Sequence, residues 1–158
     1  MKLSQGVEWG LHCAALLALA PPGTTVRREG LAEHYALPVT YLAKHLQAMA
    51  RAGVLHAVTG PKGGYRLARP PEDITVLDVV EAIEGSSSPF LCQEIRRRGL
   101  GAVPPEACTR PCAIDAVMTQ ADRAWRSSLR AVTIADLLDR YPPGQRERNA
   151  ELIAKVAS

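Results

Sequence analysis

The fold is decided by residues 38–68, which read PVTYLAKHLQAMARAGVLHAVTGPKGGYRLA. The first part follows a proline, has apolar residues at helical spacing and reaches Gly53, a residue suited to closing a helix. The second part has two strand-like runs on either side of GPKGG at 60–64, which holds the residue types that permit a tight turn. We therefore predict a helix followed directly by a β-hairpin with the basic side chain of Lys62 at its tip.

Two further helices are predicted before this stretch. Residues 6–20 carry apolar side chains at helical spacing and end at a Pro-Pro-Gly sequence. A second, shorter helix is expected to start at Thr24 or Thr25 as N-cap and to run to about Tyr35. Two short helices joined by a tight turn, with a hairpin after them, are typical of a winged helix-turn-helix.

The sequence after the hairpin is again helical on either side of an irregular loop. Residues 74–83 predict a helix capped by Asp73 or Thr75 and stopped by Gly85. Residues 86–112 are rich in glycine and proline and show little periodicity, so they need something to order them.

A long apolar stripe then begins at residue 113. It consists of Ile114, Val117, Met118, Ala121, Trp125, Leu129 and Val132. A helix of this length projects beyond a small domain, and its stripe needs a partner, for which a second copy of the chain is the simplest choice. Residues 133–139 could form a separate turn after a slight break.

The predicted protein is mainly α with a small β-hairpin wing: a winged helix-turn-helix plus a long dimerisation helix. We expect a DNA-binding domain at 1–85, a cysteine-bearing loop at 86–112, a dimerisation helix at 113–140 and a charged C-terminal tail at 141–158. With 158 residues and 47% hydrophobic content, the chain is long and apolar enough for a real core.

The charge of the chain is concentrated in the predicted winged helix. Between residues 24 and 69 there are seven Lys and Arg against two Glu, although the net charge of the whole chain is only +3. In a fold of this kind such an excess indicates double-stranded DNA as the partner. The candidate contacts on the third helix and the wing are Thr40, Tyr41, Lys44, His45, Gln47 and Lys62.

Other classes of protein fit the sequence poorly. No apolar run approaches the length of a membrane span, and no signal peptide precedes the first helix, so we expect a cytoplasmic protein. There is no Ser/His/Asp or paired-carboxylate arrangement and no phosphate-binding loop, so we do not expect an enzyme.

The most chemically committed residues are the cysteines. In a reducing compartment Cys108 and Cys112, with Pro111 stiffening the turn between them, point to a metal site rather than a disulfide. Two thiolates supply half of a coordination sphere, and alone they suit zinc about as well as iron. Glu8 and His12 lie one turn apart on one face of the first helix, where such a pair is most often only a surface pair.

Several motifs together resemble the cluster-binding winged-helix regulators of the IscR, NsrR and RsrR type, the Rrf-two superfamily. The resemblance covers about residues 1–140 and is carried by PVTYL at 38–42, GPKGGYRL at 60–67, ITVLDVVEAIEG at 74–85 and the cysteine-bearing loop. The N-terminal MKLS, VEW and LHC sequences and the Cys108/Cys112 pair are most similar to the RsrR type.

This resemblance implies a redox-sensing transcriptional repressor. Its implied cofactor is a [2Fe-2S] cluster bound by Cys108 and Cys112 of one subunit and by Glu8 and His12 of the other, with Trp9 as the switch residue. Two donors on each iron complete such a cluster without Cys92, and mixed thiolate and imidazole ligation raises its potential relative to an all-cysteine cluster.

The cysteine spacing leaves alternatives open. Much of the superfamily has three closely spaced cysteines, whereas fifteen residues separate Cys92 from Cys108 and three separate Cys108 from Cys112. One alternative is a [4Fe-4S] cluster on these three cysteines, in a regulator that senses cluster loss or nitric oxide. The other is a structural zinc site in a regulator that does not respond to redox state.

Overall fold

The computed structural model describes residues 2–61 and 63–157 and confirms a mainly helical protein with one antiparallel hairpin. The predicted wing-tip residue Lys62 lies outside the described residues. The helices and strands are α1 (Gln5–Leu17), α2 (Arg28–His34), α3 (Val39–Arg51), β1 (Leu55–Val58), β2 (Gly64–Leu67), α4 (Val76–Glu84), α5 (Ala113–Arg130), α6 (Ile134–Asp139) and α7 (Gln145–Val156). Short 3₁₀ turns lie at Pro71–Asp73, Ile95–Arg97 and Pro105–Ala107.

The helix-turn-helix and hairpin follow the local signals of the sequence. Helix α3 ends where Gly53 adopts a left-handed φ of +73°, as a glycine after a helix is suited to do. In the hairpin Leu55 pairs with Leu67 and Val58 with Gly64. The helix-turn-helix and wing are thus formed by the stretch that predicted them.

The predicted start of α2 is wrong. Neither Thr24 nor Thr25 caps this helix, which begins only at Arg28. The reason is that Val26 is extended and pairs with Tyr65 of β2: each backbone N–H donates to the other's carbonyl, at 2.9 and 2.8 Å. This bridge attaches the chain before α2 to the wing.

Helices α4 and α6 begin with the same capping arrangement. The Asp78 N–H donates to Thr75 Oγ1 at 3.1 Å while the Thr75 N–H donates to Asp78 Oδ2 at 2.9 Å. Thr133 and Asp136 repeat this capping box, with distances of 2.8 and 3.1 Å. The long helix expected from residue 113 therefore stops at Arg130, and α6 is a separate helix, as the break in the pattern suggested.

The chain divides into two compact units. One is formed by residues 2–86 with 129–157, and the other by Ser87–Ser128. The first has a continuous core to which all of its helices contribute, and its fully buried side chains include Leu16, Leu31, Leu42, Leu46, Met49, Ile74, Ile134 and Ile153. The second contains the cysteine-bearing loop and most of α5, a helix with no buried residue.

Candidate functional site

Four of the predicted DNA contacts share the outer face of α3. Thr40, Tyr41, Lys44 and Gln47 are all exposed, and Tyr41 is 61% exposed. The Lys44 ammonium lies 5.4 Å from the centre of the Tyr41 ring, a cation–π distance. The opposite face of α3 packs into the core through Leu42 and Leu46, so the polar face is presented outwards.

His45 has a different environment from its neighbours on α3. Its ring meets the Trp9 ring edge-on, with centroids 6.0 Å apart and planes at 83°. A Cβ on Gly6 would overlap the His45 ring, so the absence of a side chain there allows this approach. The structure thus packs His45 against α1, and its predicted contact with DNA stays a prediction.

The wing is held against the start of α2 by close backbone contacts. A Cβ on Gly64 would lie 2.6 Å from the Val26 carbonyl oxygen, so only glycine fits without a shift. The Arg27 guanidinium donates to the Pro61 carbonyl at the hairpin turn. Arg66 is exposed on β2 opposite His56. Sequence reasoning missed Arg27 and Arg66 as interface residues, although the alternation of side chains along β2 indicates the outward direction of Arg66.

Glu8 and His12 are both exposed on α1 and line one apolar groove of about 530 Å³ between α1 and α6. The groove also contains Leu11, Leu137 and Tyr141. Among the described residues Glu8 has no ion-pair partner, and the Tyr35 ring lies 5.3 Å from the His12 ring. The two donors predicted for one iron are therefore adjacent and open on one side.

The two loop cysteines are partly exposed and flank the start of α5. The Cys108 N–H donates to the Pro105 carbonyl at 3.1 Å, and the Cys112 carbonyl accepts from the Ala116 N–H at 2.9 Å. The pKa of the Cys112 thiol is lowered, first because the N–H groups of Asp115 and Ile114 at the helix N-terminus stabilise the thiolate. This environment favours the form of the cysteine that binds metals.

Two neighbours of Cys112 add to this effect. The Cys92 side chain hydrogen-bonds to the Cys112 sulfur, and the positive charge of Arg96 lowers the same pKa. Cys13, by contrast, is fully buried on α1, and burial raises the pKa of its thiol to about 12. Cys13 is therefore a core residue, as its position next to His12 on the helix predicts.

Arg96 organises the loop and was not found by sequence reasoning. Its guanidinium donates to both Glu94 carboxylate oxygens, at 2.6 and 3.1 Å, and to the Arg110 carbonyl at 2.8 Å. Arg110 lies between the two cysteines. The pKa of Arg96 is raised by Glu94 first and then by Cys108 and Cys112, so a cation stands beside both thiols.

The described residues bring potential metal ligands together only in small sets. In 2–61 and 63–157 no three His, Cys, Asp or Glu side chains are grouped so as to hold a metal ion. The Glu8/His12 pair and the Cys108/Cys112 pair belong to different compact units. Within the same ranges no helix is long and apolar enough to cross a bilayer.

A family model described as "Iron-dependent Transcriptional regulator", named Rrf2, matches residues 3–140. The protein rrf2 of Nitratidesulfovibrio vulgaris is 29% identical over 140 residues, which are 87% of each chain. YwgB of Bacillus subtilis, whose name describes it as a candidate HTH-type transcriptional regulator, is 27% identical over 140 residues, or 89% of this chain and 86% of YwgB.

Solved structures agree with this match. The structure of CymR, the global cysteine regulator of B. subtilis, superposes with a TM-score of 0.69 at 22% identity and covers 90% of this chain and 99% of CymR, which supports the fold. T. potens IscR superposes with a TM-score of 0.66 at 25% identity and covers 92% and 91%. These relatives are regulators rather than enzymes, and the closer likeness to the RsrR type stays a prediction. The chain belongs to the Rrf2 family of DNA-binding transcriptional regulators.

Proposed function

We propose that the protein is a homodimeric, redox-sensing repressor that binds a double-stranded DNA operator. Its operator affinity is set by a [2Fe-2S] cluster on Cys108 and Cys112 of one subunit and Glu8 and His12 of the other. The observation that carries the proposal is the contact between Trp9 and His45. It joins the helix that bears two of the proposed ligands to the helix that presents its polar face to DNA.

The donor chemistry supports a cluster of this type. Each iron of a [2Fe-2S] cluster needs two protein ligands, and the chain offers one thiol pair and one carboxylate–imidazole pair. Glu8 and His12 are exposed and face a common groove, while the helix N-terminus favours the Cys112 thiolate. The description of the family as iron-dependent agrees with iron rather than zinc.

The proposed dimer is supported by the outer face of α5. Its stripe is left without a partner in the described part of the chain: Ile114 is 63% exposed, Val117 64% and Met118 39%. Apolar side chains repeated at this spacing are typical of a helix that pairs with another. A dimer is also required for ligands to come from two subunits.

When bound, the cluster supplies a reversible one-electron change of charge beside Glu8 and His12. Trp9 lies between these two residues in sequence, and its ring leans on His45. A displacement of α1 is therefore passed to α3, and the exposed Tyr41, Lys44 and their neighbours move with it. Dimeric readers require recognition helices spaced to match half-sites, so a small displacement lowers specific affinity more than affinity for random DNA.

The test is the metal content of protein purified without oxygen. We expect a visible absorption spectrum with about two irons and two sulfides per cluster. Cys108→Ala, Cys112→Ala and His12→Ala should lose it, whereas Cys92→Ala, the matched control in the same loop, should retain it. Stoichiometric zinc without acid-labile sulfide would refute the cluster.

One observation favours a second candidate. Cys92 is hydrogen-bonded to Cys112, as a third ligand from the same loop could be. A [4Fe-4S] cluster on Cys92, Cys108 and Cys112 would give four irons per cluster, and Cys92→Ala would then lose it while His12→Ala kept it. The same purified proteins distinguish the two candidates.

A further inference from the structure

A second groove lies between α2 and α7 and is separate from the proposed ligands and from the outer face of α3. It has a volume of about 830 Å³ and belongs entirely to the unit formed by residues 2–86 and 129–157. Its walls include Gly30, Glu33 and His34 on α2 and Arg148, Asn149 and Lys155 on α7. Helix α7 lies beyond residues 3–140, which the family model matches.

Asn149 is the unusual residue of this groove. It is only 8% exposed, yet its side chain makes no hydrogen bond within the part of the chain that the structure describes. Ile153, one turn later on the same face, is fully buried, so Asn149 stands where an apolar residue is expected. Native proteins rarely leave a buried amide unpaired, and this one lines the groove, where a ligand could reach it.

The groove also presents charges of both signs. Glu33, Arg148 and Lys155 line it, and none of them has an ion-pair partner among the described residues. Arg148 and Asn149 are adjacent, and Lys155 lies two helical turns beyond Arg148 on the same side of α7. A carboxylate can bind the Arg148 guanidinium, and an ammonium can bind Glu33 across the groove.

The remaining surface is apolar. Leu152 is 38% exposed and Val156 40%, and both line the groove. A ligand that matches all these features carries a carboxylate, an ammonium and a short apolar or polar side chain.

We propose that the groove between α2 and α7 binds a free α-amino acid, with its carboxylate on Arg148, its ammonium on Glu33 and a hydrogen bond to Asn149. This site goes beyond the proposed cluster function and uses none of its ligands. The backbone of Ala157, directly after α7, bridges Val26, which in turn pairs with Tyr65 of the wing. Occupancy of the groove is therefore connected through backbone pairing to the elements that bind DNA.

The experiment is a thermal-shift screen of the full-length protein against each standard L-amino acid, followed by calorimetry on those that raise the melting temperature. Sodium acetate and sodium phosphate at the same concentration test whether an anion alone is enough. We expect at least one amino acid to stabilise the protein and neither salt to match it. Asn149→Leu keeps the side-chain volume, so the variant should fold, and it should bind about fivefold to tenfold more weakly.

Two further variants locate the site. Arg148→Gln should weaken binding by at least as much as Asn149→Leu. Arg146→Gln should not, because Arg146 is on the same helix but pairs with Asp139 at 3.3 Å and does not line the groove. Cys108→Ala should bind the amino acid normally, which separates this proposal from the cluster.

Three results would overturn the proposal. The first is the absence of any amino acid that raises the melting temperature of the unmodified protein. The second is an unchanged affinity in both Asn149→Leu and Arg148→Gln. The third is an equal shift with acetate or phosphate, which would make the groove a simple anion site.

Discussion

Replacement of Trp9 by alanine should weaken the response of DNA binding to redox state and leave the cluster in place. The Trp9 side chain links α1 to α3 through its edge-on contact with His45, at a centroid distance of 6.0 Å. It is not a proposed ligand, so iron and sulfide content should not change. The variant therefore removes the proposed connection without removing the sensor.

The size of the effect follows from this contact. An aromatic pair of this geometry contributes about 0.5 to 1.5 kcal/mol beyond the burial of its surface. A redox change cannot shift the position of α3 by more free energy than the connecting contacts differ between the two states. With two such contacts in a dimer, the limit is about 1 to 3 kcal/mol, or roughly a 5-fold to 150-fold difference in operator affinity. Trp9→Ala should bring this ratio close to one.

The assay is fluorescence anisotropy with the operator mapped by footprinting on the protein's own promoter. Oxidised and reduced protein are compared without oxygen and at one salt concentration, because phosphate contacts make affinity strongly salt-dependent. Random DNA of equal length gives the non-specific reference. Trp9→Phe is the control, since it keeps an aromatic ring against His45 and should preserve most of the ratio.

Two results would refute this reasoning. An unchanged ratio in Trp9→Ala, with iron content intact, would show that the connection runs through other residues. Equal operator affinities of oxidised and reduced unmodified protein would show that electrons are not the signal, and would favour cluster loss or nitrosylation.

Four further predictions follow from individual residues. Gly64→Ala should destabilise the fold by about 1 to 3 kcal/mol in urea titrations, because its Cβ would meet backbone at 2.6 Å; unchanged stability would contradict that contact. Val117→Asp, on the exposed stripe of α5, should convert the dimer to a monomer in light scattering. Arg96→Gln should make the cluster harder to reduce in a potentiometric titration, because a cation beside both loop thiols is lost; an unchanged potential would argue against this role. In cluster-free protein at neutral pH, iodoacetamide should modify Cys112 first and leave Cys13 unmodified until the protein unfolds, as peptide mapping would show.

Much of the fold was accessible from sequence because its signals are local. Helix α3 and its stop at Gly53, the glycine-rich hairpin turn and the stop at Gly85 each depend on residues next to one another. The start of α2 was not accessible in this way. Thr24 and Thr25 are good capping residues, but the pairing of Val26 with the wing, forty residues later, holds that segment extended.

The C-terminal helix shows a second limit of the sequence. Its composition is strongly charged, which predicts a tail that is isolated by Pro142, Pro143 and Gly144. In the structure α7 packs on the first unit, with Ile153 fully buried. A single apolar residue on the inner face gives too weak a periodic signal to distinguish docking from solvation.

The candidate site was accessible in its residue types but not in its partners. Cysteine spacing indicates that Cys108 and Cys112 act together, because both come from one short loop. Arg96, twelve residues earlier in the chain, reaches the carbonyl of Arg110 between them at 2.8 Å. No spacing rule predicts a contact made by folding of an irregular loop, so this arginine could only be found from the structure.

The histidines show most directly why residue type alone does not give a role. His34 and His45 both lie on the helix-turn-helix and both were expected to be solvated or to face phosphate. His34 instead packs on Tyr35 with centroids 4.6 Å apart, and burial lowers its pKa, so it is neutral over a wider pH range.

His45 is one residue after Lys44 on α3, and this single step rotates its side chain by about 100° around the helix. The rotation takes it from the exposed face to the side that meets α1, where Gly6 leaves room and Trp9 provides the contact. A residue on that side cannot report base sequence by itself, but it can respond to the position of α1. For this reason the link between the proposed sensor and the DNA-reading face rests on His45 rather than on a more exposed and more basic residue such as Lys44.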